Sequence, residues 1–595
     1  MSPPAPRHDR PVRIANCSGF YGDRLSGLAE MVTGGPVDVV TGDYLAEVTM
    51  LILARTRLRQ PDGGYATTFL RQLEAVAGEI ADRGVKVVVN AGGLNPAGLA
   101  VVVRTVLTGL GLDLRVAHVE GDDLLAQLPQ LAAEGHALAH LDTGAPFASW
   151  GRPPLTANAY LGGFGIKAAL DAGADIVITG RVADASLVTG AAAWWWGWAP
   201  ADYDALAGAV AAGHVIECGA QATGGNFSGF RSVDDLSHPG FPLAEVGADG
   251  SCVITKHEDT GGAVTVDTVT AQLLYEVGDP AYLNPDVVAH LDTLTLDQEG
   301  RDRVRMSGAR GTIPPSTTKV AVTALGGWRN GVTVVLTGLD ADAKAAVLES
   351  AVRAALEGRP GLDDLRFIRI GEAAADPVEQ MLGSCLLHVS VDGDETTCGR
   401  AFSSLLVELA LANYPGIYYT GPPGNGGPVG AYWPTLVPQA VVPHTVVHAD
   451  GRRQILPAPT TGDSAEAPPD PAATVDAVPT VDVGPTVDGP LGRLVQARSG
   501  DKGGNANLGL WVSDPEAWPW LVATMTTERV RALLPEAAGL PIDRHLFPNL
   551  RAVNLVIHGL LDGGATEARR FDKQAKALGE WIRARHVPLP TRLLG

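Results

Sequence analysis

The sequence predicts an α/β protein: a large domain with a mostly parallel sheet covered by helices, an α+β middle region, and a small C-terminal α+β domain. Three observations predict it. Short β-branched apolar runs alternate with helical periods up to about residue 230, as they do when a parallel sheet is buried on both faces. Those runs end in glycines followed by polar residues, the arrangement of ligand-binding loops at a sheet edge. A Pro-, Ala- and Thr-rich stretch, 454–490, separates the last hundred residues from the rest.

In order, residues 1–10 read as a disordered head and 12–16 as a strand, with a Gly-containing turn and a helix at 25–31. The G-x-G-x-x-G spacing of a dinucleotide turn is absent here. Strands follow at 37–41, 85–89, 114–119 and 176–179, with helices at 69–83, near 98, at 122–137, at 161–170 and from 185. Residues 11–230 thus form the α/β part. Residues 231–453 form the α+β part, with strand patterns at 252–255, 263–266, 319–322, 332–337, 367–370 and 385–391, and helices at 341–356 and 402–414. A Gly-rich segment, 421–430, must be a loop. After the 454–490 linker, residues 491–595 read as strands at 493–497, 508–512 and 553–558 with helices at 517–534 and 571–583, fitting an antiparallel sheet with helices on one face.

Composition narrows the function classes. A chain of 595 residues with 46% hydrophobic content needs more than one core. A net charge of -21 excludes a nucleic-acid groove or an anionic membrane surface as the main partner, and leaves room for an anionic small molecule held by local Arg and Lys. Five scattered cysteines without a Cys-x-x-Cys pair point to a reducing cytoplasm rather than a disulfide framework or a structural zinc site. The N-terminal residues lack a signal-peptide pattern, and no apolar run is long enough to span a membrane.

The segment 158–190 contains the leading candidate loop, 180–186. Gly180, Arg181 and Asp184 follow a buried strand, so Arg181 is placed to clamp a carboxylate or phosphate and Asp184 to act as a base, with Asn158 at the head of the segment also assigned to substrate binding. An Arg–Asp ion pair with an Asp184 helix cap explains the same residues without a ligand. Asn90, Gly92, Gly93 and Asn95 suit an oxyanion cradle, or simply a tight turn. Asp23, Asp43 and Glu47 form a carboxylate group for acid–base work or a divalent metal, with Asp43 and Glu47 one helical turn apart; helix N-terminal acids are the plainer explanation. His214, Glu217 and Cys218 lack the spacing of a metal site, and no base is paired with Cys218; Thr223 and Gly224 read as a backbone bend near the ligand. In the loop 499–507, Asp501, Lys502 and Gly503 can hold a carboxylate or a coenzyme A phosphate, or form a hairpin docked on the main domain. Trp194 to Trp196 fit packing at a domain contact or at the subunit contact of a homo-oligomer.

The segments GFYGDR, GDYLAEVTM, NAGGLNPAG, NAYLGGFGIKAALDAGADIVITGRVADASL, HVIECGAQATGG and ARSGDKGGNANLG carry a resemblance to the AtuA family of acyclic terpene utilisation proteins. It covers nearly the whole chain apart from the head and the linker. The resemblance implies a ferredoxin-like C-terminal domain and a setting in the catabolism of acyclic terpenes through acyl-CoA intermediates, alongside carboxylases, dehydrogenases and enoyl-CoA hydratases. On that basis the expected function is hydration, elimination or lyase chemistry on a branched or unsaturated acyl-CoA, with coenzyme A as part of the substrate and no redox cofactor. The alternative is a non-catalytic partner or scaffold for an acyl-CoA carboxylase, which the Trp run and the linker would serve.

Overall fold

The computed structural model describes residues 9–462 and 484–594. The chain divides into two compact units, residues 1–323 with 432–595, and residues 324–431. The first unit runs β1 (Val12–Asn16), α1 (Gly27–Thr33), β2 (Val39–Gly42), α2 (Glu47–Arg59), α3 (Thr67–Arg83), β3 (Lys86–Val89), α4 (Pro96–Gly109), β4 (Val116–Glu120), α5 (Leu128–Ala133), β5 (Pro154–Ala159), α6 (Phe164–Asp171), β6 (Ile176–Thr179), α7 (Ser186–Trp196), α8 (Tyr203–Ile216), β7 (Pro242–Val246), β8 (Cys252–Lys256) and α9 (Val266–Leu273).

Its centre is a parallel ribbon in the order β1-β2-β3-β6-β4, flanked by antiparallel strands that extend it to eleven. Alternation along these strands fills two cores. Val39, Val88 and Val177 pack with α6, α7 and α8, whereas Val40, Val87, Val89, Ile176 and Ile178 pack with α1, α3 and α4. Burial on both faces is why the strands read as unbroken apolar runs. Parallel pairing carries the C-terminal ends of β1, β2, β3, β6 and β4 to one edge, which is where Asp43, Asn90 and Arg181 emerge.

Several expectations change. The helix read at 122–137 shrinks to α5 with a short preceding turn, because Asp123 accepts from the Leu125 amide and holds the chain in a turn first. The β-branched run 263–266 is no strand: Thr265 caps α9 in a reciprocal capping box with Thr268. The Trp run packs within the first unit, where the Trp195 and Trp196 indoles donate to the Arg10 and Val246 carbonyls and Trp194 and Trp196 stay partly exposed. The two ends of the 454–490 stretch are strands, Arg453–Leu456 and Thr486–Pro490. Residues 463–483, the middle of that stretch, and residues 1–8 of the head lie outside the described residues.

The C-terminal domain is a four-stranded antiparallel sheet in the order Gln496–Lys502, Asn505–Trp511, Ala552–Ile557, Ile542–Phe547, with its own core. The Gly-rich 499–507 segment is mostly strand; only Gly503 and Gly504 turn, with Gly503 at φ 62°. The helix read at 517–534 is two, Trp518–Thr524 and Thr527–Leu533, since the Thr526 hydroxyl caps the second. The domain belongs to the first unit. Asn507 and Asn554 both donate to the Val277 carbonyl, Asn507 accepts from the Glu276 amide, and the Trp511 indole donates to Asp267.

The second unit, taken by itself, is an antiparallel layer. The end of the long strand Thr317–Thr337 pairs with Ser384–Gly393, which pairs with Leu362–Ile370; helices Ala341–Leu356 and Phe402–Ala412 bury Leu348, Val352, Phe402 and Leu406 against it. Among the described residues no helix is long and apolar enough to cross a membrane.

Candidate active site

The loops after β2, β3 and β6 interlock before they offer anything to a ligand. Asn90 donates to Asp43 Oδ1 at 2.6 Å and accepts from the Tyr44 amide at 2.7 Å. The Leu45 amide also donates to Asp43 Oδ1. Burial, then the charge of Asp184, pushes the Asp43 carboxyl well above the usual range, against Arg181 and the Asn90 amide. Arg181, 4% exposed, pairs with Asp184 Oδ1 at 2.9 Å, donates to the Leu45 carbonyl, and lies 4.2 Å from the Tyr160 ring centroid. Its own amide donates to Asp122 Oδ2, which also accepts from Asn158. Burial pushes Asp122 up to about 7. Gly180 is required because a Cβ there would stand 2.5 Å from Asp122 Oδ1. The ion-pair reading of Arg181 and Asp184 therefore holds, while the N-cap of α7 is Ala185.

Glu47 opens α2 and is not on one helix turn with Asp43, which precedes the helix. The Tyr160 and Tyr432 hydroxyls donate to its Oε1 at 3.4 and 3.2 Å, and Lys319 Nζ is 3.5 Å away. Burial opposes ionisation, but Lys319 and then Arg181 hold the Glu47 carboxyl down at about 2. Its side chain remains 27% exposed, so this ion pair lines accessible space.

A second wall faces it. The end of α8 carries the buried His214, whose Nδ1 is 3.4 Å from Glu217 Oε1 and whose ring also engages the Gln272 backbone. Burial lowers His214 to about 4 and, with Asp184 and Glu276, raises Glu217 well above its usual range. Beyond α9, Glu276 sits at φ 57°, left-handed backbone that a non-glycine residue adopts at a cost, which makes it a functional suspect. Its side chain is 37% exposed. Burial, then the charges of Glu47 and Asp184, pushes it up to about 7. Burial with Glu276 and Glu47 pushes Asp501 up to about 8. Lys502 is exposed, and desolvation with the charge of Lys319 pulls its ammonium down. Mutual shifts among Glu47, Lys319, Glu276, Asp501 and Lys502 mean that the two walls share one electrostatic space.

The remaining sequence candidates are engaged in the fold. Asp23 closes its own loop by accepting from the Gly19 and Arg24 amides. Asn95 is the N-cap of α4, accepting from the Gly98 amide and donating to the Asp62 and Gly63 carbonyls. Gly92 lets the turn approach the Thr179 carbonyl, and Gly93 takes φ 52° against Leu53. The amides of Gly93, Leu94 and Asn95 all donate to backbone carbonyls, so this turn is not an oxyanion cradle. Thr223 donates to the Ala220 and Gly240 carbonyls, and Gly224 turns at φ 109°. Among the described residues no three His, Cys, Asp or Glu side chains gather as a metal requires. With Asp23 occupied in its loop, Asp23, Asp43 and Glu47 do not gather as ligands of one divalent metal. Glu276, Lys319, Tyr160 and Tyr432 escaped sequence reading because none follows a parallel strand.

The profile described as "Acyclic terpene utilisation family protein AtuA" matches residues 12–448, and that of the "AtuA ferredoxin-like domain" matches residues 489–588. Comparison with curated proteins and with solved structures gives no match.

Proposed function

The chain belongs to the AtuA family of acyclic terpene utilisation proteins, and on that premise we propose that its cleft performs acid–base addition or elimination on the coenzyme A thioester of a branched or unsaturated, terpenoid-type acid. One observation carries the reading: Glu276, partly exposed on left-handed backbone, is held against the hairpin that bears Asp501, and both carboxyl groups are pushed upward, to about 7 and about 8, while Lys319 keeps Glu47 ionised. Groups poised at and just above neutrality suit proton transfer in both directions.

In hydration, Glu276 as carboxylate takes a proton from water, the water oxygen bonds to Cβ, and electron density moves to the thioester oxygen. Lys319 Nζ, which has N–H capacity beyond its contact with Glu47, meets that developing charge. Asp501, neutral below about 8, delivers the proton to Cα. Elimination is the reverse. Arg181 and Asp43 hold the strand-end wall in position rather than reacting, since they are bound to Asp184, Asn90 and backbone, and Asp184, 28% exposed, keeps Arg181 in place. Glu47 anchors Lys319 and the two tyrosines.

The test is incubation of the full chain with a panel of enoyl- and 3-hydroxyacyl-CoA thioesters, with and without Mg²⁺, read by mass spectrometry. A mass change of one water is the expected result. No change across the panel, with co-purification of a biotin-dependent carboxylase, would establish the scaffold role instead.

A further inference from the structure

We propose that the C-terminal domain builds an anion subsite beside Glu276, from Arg498 and Lys576 on the Tyr275 ring together with Lys502 at the Glu276 backbone, taking a carboxylate or phosphate of a small-molecule ligand. Three cations converge there in a protein whose net charge is -21. The Arg498 guanidinium lies 4.1 Å from the Tyr275 ring centroid and Lys576 Nζ lies 4.4 Å from it, with Lys576 also donating to the tyrosine hydroxyl. Lys502 Nζ donates to the Glu276 carbonyl at 3.2 Å.

Their counter-charge is deficient. Arg498 is 4% exposed; it donates to the Asn226 carbonyl and to Gln221, but its Nε has no partner. Among the described residues neither Arg498 nor Lys502 forms an ion pair, and Lys576 reaches only Glu276 Oε1, at 3.8 Å. A buried cation without a carboxylate, as Arg498 is, is costly, and an aromatic face offsets only part of that cost. A ligand anion would supply what is missing, with Lys502 and the partly exposed Lys576 as first contacts and Arg498 behind Tyr275 adding field. Both nearby acids, Glu276 and Asp501, are held toward their neutral forms, which reduces competition with an incoming anion. The shared chemistry is an anionic oxygen group; it can come from the acyl part of the substrate or from its phosphorylated carrier. The inference deepens the acid–base reading by placing an anionic group beside Glu276, but its test measures binding alone, so failure of turnover leaves it standing.

The experiment is calorimetric titration of the full chain with glutarate, inorganic phosphate and coenzyme A. At least one probe should bind, and Lys502→Met and Lys576→Met should each weaken it by roughly tenfold or more, while Lys576→Arg keeps most of the affinity. Tighter glutarate binding assigns the site to the acyl part; tighter phosphate or coenzyme A binding assigns it to the carrier. Absence of binding by all three probes, or equal affinity in the wild type and both Met variants, would overturn the proposal.

Discussion

The strand-end wall and the wall completed by the C-terminal domain both carry dense charge, but they treat it in opposite ways. On the first, Arg181, Asp184, Asp43, Asn90 and Asp122 are bound to one another and to backbone. On the second, among the described residues Arg498 and Lys502 form no ion pair, and the partly exposed Glu276 and Asp501 are pushed up to about 7 and about 8. The difference teaches which groups position and which react. Saturated polar groups fix geometry, and unsaturated ones in accessible space are available to a ligand.

Breaking the first wall should have the largest effect on stability. Arg181→Met leaves Asp184 and Asp43 without their buried partner, and chemical denaturation should show a loss of about 3–5 kcal/mol. A loss within experimental error would mean that the wall is held by something else. On the second wall, Glu276→Gln should lower kcat by about 10²–10⁴-fold while leaving the denaturation midpoint unchanged or raised. Lys319→Met should cost about 10²-fold in kcat; an equal effect on KM with kcat intact would make Lys319 a binding group only.

Stability should also respond to pH with a definite sign. Asp122 and Asp286 have folded values of about 7 and about 6, above the ordinary aspartate range. Between that range and those values the native state holds protons that the unfolded chain has released, so stability falls as pH rises through this interval. Glu47 and Glu120, each held at about 2, act oppositely: their contribution is present above the ordinary glutamate value and is lost as pH falls toward 2. His214 and His444, each lowered to about 4, oppose this below the ordinary histidine value, so the fall of the thermal midpoint should be read between about pH 6.5 and about pH 8, where the Asp122→Asn variant should flatten it. The smallest expected effect is Asn95→Ala, about 1 kcal/mol of stability from a lost cap, with kcat/KM unchanged. A large kinetic loss there would restore the Asn95 turn as a cradle.

The parallel centre was legible because β2, β3 and β6 are buried on both faces and so read as uninterrupted β-branched runs. The family resemblance was legible too, through the motifs at those strand ends, and the profiles match along the same stretches. Helix α9 was not, since its residues from Thr268 to Leu273 are all buried and leave no amphipathic period. The segment around Asp501 read either as a ligand loop or as a hairpin docked on the main domain, and the hairpin holds: Asn507 is wholly buried and bonded to Val277 and Asn554. Arg181 was found by its place after a strand, but its saturation by Asp184 and Leu45 is a property of packing. Glu276 was missed for the complementary reason: its significance lies in its left-handed backbone and in what the distant C-terminal domain brings beside it.

The central claim is that Glu276, Asp501 and Lys319 move protons on and off the carbon beside a thioester carbonyl. Solvent-deuterium incorporation at Cα of the acyl-CoA panel, followed by mass spectrometry, tests it most directly. Incorporation by the wild type, and its loss in Glu276→Gln and Lys319→Met with folding intact, is the predicted result. No incorporation into any thioester, or equal incorporation by the wild type and both variants, would contradict it.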